Sequence, residues 1–186
     1  MSELNLTSPA TYLLYCEGSA ERVIMEILLD ARMLVFGQDE VIPERMTGRP
    51  TIQRGNPNKM ASQYLQESYE APVVILYILD SRKEHLRLPK YAAETPVHYF
   101  LTRPEIEILA IIREGMYADF TNQSGKDAAE YCKTTLGMPK IKQEAFLRDY
   151  WNASDLRDAV IEYSKKHKFE KGRVVFSESA SVVHLL

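Results

Sequence analysis

The sequence predicts an α/β fold, a partly parallel sheet flanked by helices with a helical addition at its C-terminal end. Three observations carry that prediction. Apolar strand-like runs alternate with amphipathic stretches of helical period, "PVVILYILD" (72–80) is too continuously apolar for a strand with one wet face, and residues beyond about 117 read as helices in succession. A chain of 186 residues forms one domain, or one domain with an appendage. Here the boundary falls between a core over 1–116 and an addition over 117–186, expected to pack as one compact unit.

The elements follow in order. Residues 11–17 alternate and then run apolar, as a buried strand does. "SAERVIMEILLDARM" (19–33) sets Val23, Ile24, Ile27, Leu28 and Ala31 on one helical face, with Glu26, Asp30 and Arg32 opposite. A short strand is expected at 34–36. Residues 37–58 hold three Gly, three Pro and the arginines Arg45, Arg49 and Arg54 without a period, which reads as a long loop with room for one short strand. Loops of this length are functional or mobile segments, or solvated insertions. A helix at 59–69 leads to the strand 72–80. The strand 96–102 runs straight into a helix, since Thr102 and Glu105 have capping-box spacing and Pro104 suits a first turn. That helix is apolar nearly all round from Ile106 to Ile112, so it should be buried. Helices follow at 125–136, 142–151 and 154–167, and the tail has the makings of an edge strand.

Composition narrows the function. Hydrophobic residues are 45% and charged residues 26% of the chain, enough for a sizeable core. A net charge of −3 and a pI near 5.9 argue against a broad basic surface for nucleic acid, though not against a local basic groove. Cys16 and Cys132 have no Cys or His at ligand spacing and read as buried reduced thiols. The four histidines show no zinc-type spacing. P-loop, dinucleotide and nucleophile-elbow signatures are lacking in the sequence. The N-terminal residues show no secretory pattern, and no apolar run reaches the roughly 18 residues that cross a bilayer. The expectation is a cytoplasmic protein with no membrane partner.

Acids stand at the ends of three predicted strands, where ligands bind in parallel sheets. Glu17 ends the first, with Glu21 one turn into the next helix. Asp80 ends the second, followed by Ser81, Arg82, Lys83 and Glu84. The third leads through Thr102 to Glu105 and Glu107. Converging carboxylates suit hard Mg2+ or Mn2+. Each acid also has an ordinary use: Glu17 as a turn residue, Glu21 on the helix dipole, Asp80 and Glu105 as caps. For Glu105 taken alone, capping outranks ligation. Arg82, Lys83, Arg87 and Lys90, and the loop arginines including Arg54, are candidates for phosphate contacts or simply solvated charges.

"LLYCEGSAE" resembles the first motif of Toprim domains, a hydrophobic strand followed by Glu-Gly, two residues and an acid. "VVILYILDSR" is similar to the second Toprim motif, a strand ending in Asp-x-Asp. "FLTRPEIEILAII" is similar to the later segment of nucleases of the overcoming-lysogenization-defect type. The resemblance covers roughly residues 10–115. It implies a Toprim-like protein acting on nucleic acid phosphodiesters with Mg2+ or Mn2+, in phage defence or a mobile element. Carried over, Glu17 is the general acid/base and Asp80, Glu21, Glu107 or Glu105, and Glu84 are metal ligands. Arg82 departs from the pattern, since it stands where the second Asp belongs. An arginine cannot ligate Mg2+ and binds phosphate instead. The alternative implied is a catalytically inactive module that binds nucleic acid or a protein partner. A homo-oligomer is compatible with either.

Overall fold

The computed structural model describes residues 9–79, 86–101, 106–123, 125, 127–166, 180–181 and 185–186. Within them the chain forms strands β1 (Thr11–Cys16), β2 (Ile52–Arg54), β3 (Val73–Leu79), β4 (Val97–Leu101) and β5 (Ala180–Ser181). The helices are α1 (Ser19–Asp30), α2 (Pro57–Tyr64), α3 (Ile106–Arg113), α4 (Tyr117–Asn122), α5 (Ala128–Thr134), α6 (Glu144–Tyr150) and α7 (Ala153–Lys166). The five strands make one sheet in the order β2-β1-β3-β4-β5. Every pairing is parallel, so the expected α/β class holds and the sheet is parallel throughout rather than in part.

Alternation along the strands assigns the two faces. Tyr12, Leu14 and Cys16 of β1, Val74, Leu76 and Ile78 of β3 and Phe100 of β4 join a core with α1, α3, α5, α6 and α7. Leu13, Tyr15, Ile75, Tyr77 and Leu79 point to the other face, beneath Ile42 and the α2 residues Met60 and Tyr64. Because both faces are covered, β3 is apolar at every position rather than at alternate ones. Tyr15, Tyr77 and Tyr99 stand in register on the thinner face, with ring centroids 4.9 and 5.8 Å apart. The residues beyond 117 do not form a separate core. α7 and α5 pack on α3, α6 packs on α1, and β5 extends the sheet next to β4.

Several element boundaries differ from expectation for local reasons. No strand forms at 34–36: α1 ends in a Schellman turn, with Met33 N–H donating to Leu28 O (2.9 Å) and Arg32 N–H to Leu29 O (3.0 Å). The chain then bends, and Val35 N–H bonds the carbonyl of Leu185 instead of a strand. The short strand expected in the long loop is β2, at one edge of the sheet, and the edge strand expected in the tail is β5, at the other. α2 begins before 59 because the Asn56 side chain accepts from Asn58 N and Lys59 N, with Pro57 in the first turn. α4 was not foreseen; six residues are too few to show a period. Asn152 caps α7, accepting from Asp155 N at 2.8 Å while its amide donates to the Asp155 carboxylate. The expected Thr102–Glu105 capping box lies outside the described residues. No described helix is long and apolar enough to cross a membrane.

Candidate functional site at the carboxyl edge of the sheet

The strand order creates a switch point. From β1 the chain moves outward to β2 on one side, and from the adjacent β3 it moves to β4 on the other. In parallel α/β sheets the crevice between two such strands, at their carboxyl ends, is where ligands bind. Glu17 stands there. Its backbone N–H donates to Ile78 O at 3.0 Å, carrying the β1–β3 ladder one residue past Cys16. In that register Glu17 is level with Leu79, which pairs with Leu101 on β4. The carboxyl ends of β1, β3 and β4 therefore lie at one height. Asp80, the residue after Leu79, lies outside the described residues, as do Arg82, Lys83, Glu84 and Glu105.

Glu21 belongs to the first turn of α1 and is 7% exposed. Its carboxylate folds back over the helix start, so closely that a Cβ on Gly18 would lie 2.1 Å from Glu21 Oε2. Gly18 has φ −109°, which any residue adopts, so the glycine is needed for space and not for backbone freedom. The glycine after Glu17 thus leaves the room that the Glu21 carboxylate occupies at the helix start.

Glu107, in the first turn of α3, is also buried, at 4% exposure. Its Oε1 lies 2.8 Å from Lys142 Nζ in an ion pair, yet meets no hydrogen-bond geometry. Its carbonyl accepts from the Cys132 thiol at 3.5 Å. Lys142 comes from the segment leading into α6. Two residues on, Glu144 accepts from Arg22 Nη2 of α1 at 2.6 Å. Arg22 and Arg148 both pair with Glu26. The start of α6 therefore reaches the first turns of both α1 and α3, the helices that follow β1 and β4.

Basic groups divide by position. Arg54 ends β2 in register with Cys16, so it stands exposed on the carboxyl edge beside Glu17. Arg45 and Arg49 leave the loop near Pro43 and Pro50, where Val41 bridges Tyr12 at the opposite, amino end of β1. Arg45 there pairs with Glu67. Both thiols are buried. Burial, and then the charges of Glu21 and Glu26, push Cys16 well up, while burial followed by Glu107 pushes Cys132 to about 12. A surface trough of about 780 Å³ borders Arg32, Phe36, Asp39 and Pro50 at the far end of α1, away from this edge.

Carboxylate oxygens are the donors a hard divalent metal takes, and Glu107 Oε1 is buried without a hydrogen bond, with Lys142 as its ion-pair partner. Among the described residues no three His, Cys, Asp or Glu side chains are grouped to hold one. Lys142 had no signal in the sequence, where "PKIKQEAF" reads as an ordinary helix start; its partner is remote in the chain and met only through packing. No family model, curated protein or solved structure matches this chain.

Proposed function

We propose that this protein is a Toprim-like enzyme that cleaves nucleic acid phosphodiesters with Mg2+ or Mn2+. The observation that supports this reading best is the register that sets Glu17 at the carboxyl end of β1, at the β1/β3 switch point, with Arg54 beside it on β2. The Toprim-like motifs around Glu17 and Asp80, and the overcoming-lysogenization-defect-type segment around Glu107, add to it. They alone suggest the setting of phage defence or a mobile element.

A bound Mg2+ or Mn2+ would offset charge on the phosphate and lower the pKa of a coordinated water. Asp80, Glu21 and Glu107, with Glu105 or Glu84, are the residues that would hold it. Glu17 takes and returns the proton, either from the attacking water or to the departing oxygen. Arg54, with Arg82 and Lys83, supplies cations for the backbone phosphates. The test is cleavage of single- and double-stranded DNA and RNA with each metal, comparing wild type with Glu17→Ala and Asp80→Ala. Metal-dependent cutting that both substitutions abolish is the expected result. Cutting that persists in both variants rules the assignment out.

A second reading rests on Arg82, which stands where the motif has its second Asp. In that reading the domain binds nucleic acid or a protein partner without cutting. It requires that no metal supports cleavage and that Arg82→Ala abolishes nucleic acid binding.

A further inference from the structure

The Lys142–Glu107 pair is built unlike the arginine pairs on the helical face. Arg22 donates to Glu144 and Arg113 to the Tyr150 carbonyl, each at 2.6 Å, and Arg113 also pairs with Asp155 at 2.9 Å. Those are directional clamps. Glu107 instead meets a point charge. Its side chain is 5% exposed while that of Lys142 is 66% exposed, and Oε1 has no hydrogen bond despite the 2.8 Å separation. A buried carboxylate needs a compensating cation, and here the cation sits on a long side chain reaching in from solvent. Water and chain entropy both favour its leaving when something else neutralises Glu107.

We propose that Lys142 is a resident counter-ion of the carboxylate edge, holding Glu107 in the metal-free protein and giving way when a divalent cation binds there. This rests on the metal-dependent reading above and adds a control to it. The helical addition, through the start of α6, sets how readily the core takes up metal.

The experiment is Mn2+ titration of the full chain followed by electron paramagnetic resonance, which needs no substrate and no turnover. With the competitor removed, Lys142→Met should bind Mn2+ about fivefold tighter, the size of one partly exposed ion pair. Lys140→Met makes the same charge change at an exposed neighbour and should stay within about twofold of wild type. Lys142→Arg should shift affinity the other way, because a guanidinium grips the carboxylate in a fork. It also preserves the charge on buried Glu107, so it guards against a methionine variant that fails to fold. In a Glu107→Gln background, Lys142→Met should have a much smaller effect than in wild type. If wild type binds Mn2+ and Lys142→Met binds it equally or more weakly, the counter-ion role is overturned and the metal reading survives. If neither binds Mn2+, both fall together.

Discussion

At Gly18 the room for a side chain is already taken by the Glu21 carboxylate, 2.1 Å from where a Cβ would be. The obstacle is the end of a flexible side chain, so Gly18→Ala should displace Glu21 at a cost of only about 1 kcal/mol, read by urea unfolding. On the proposed nuclease reading, cleavage should fall in that variant much further than stability does. The buried thiols and Tyr131 make a different residue-scale prediction. Cys132 is raised to about 12 by burial and by Glu107, and Tyr131 to about 12 by its hydrogen bond to Asp119 and by burial. Groups whose folded pKa is raised stay protonated in the native state while their unfolded counterparts ionise. The stability they contribute is therefore complete below the ordinary thiol value of about 9 and is lost as pH climbs toward about 12. Thermal melts should hold level near neutrality and drop through that window. At this scale Glu17 and Gly18 were legible, because a strand end followed by Glu-Gly is a local pattern. Lys142 was not, because its partner Glu107 is brought to it only by helix packing.

Elements are held by caps and clamps whose loss has a predictable size. Arg32 ends α1 at φ 55°, in the left-handed region, where a glycine has no Cβ penalty. Arg32→Gly should therefore be neutral or stabilising by up to about 1 kcal/mol, measured as a shift in the urea midpoint. Asn152→Ala removes the cap of α7 and should cost about 1 kcal/mol in the same assay. Arg113 does more. It stacks 4.2 Å from the Tyr150 ring centroid and binds the Tyr150 carbonyl and Asp155, joining α3 to α6 and α7. Apolar period located β1, α1, β3 and α3 well. It missed α4, and it placed a short strand at 34–36 that does not form, because in-out alternation at Leu34, Val35 and Phe36 is equally served by a bend that buries two of the three.

For the molecule as a whole, the long helical addition is structurally inseparable from the sheet. Tyr131, Leu147, Trp151 and Leu156 share one buried cluster with Val23 and Leu28 of α1 and Leu109 and Ile111 of α3. A chain truncated after 116 is expected to lose its cooperative thermal transition and aggregate, since it uncovers that face of α1 and α3; a soluble, cooperatively melting fragment would refute this. The sequence by itself determined the α/β class, the buried strands and the acid at the end of β1, because these follow from periodicity and residue type along a few neighbouring positions. Tertiary structure alone decided that every described strand is parallel, that Arg54 stands on the carboxyl edge while Arg45 and Arg49 do not, and that a lysine from the addition pairs with Glu107. Those outcomes depend on strand order, register and packing between segments far apart in the chain. One-dimensional patterns do not encode such distances, and close packing sets them all at once.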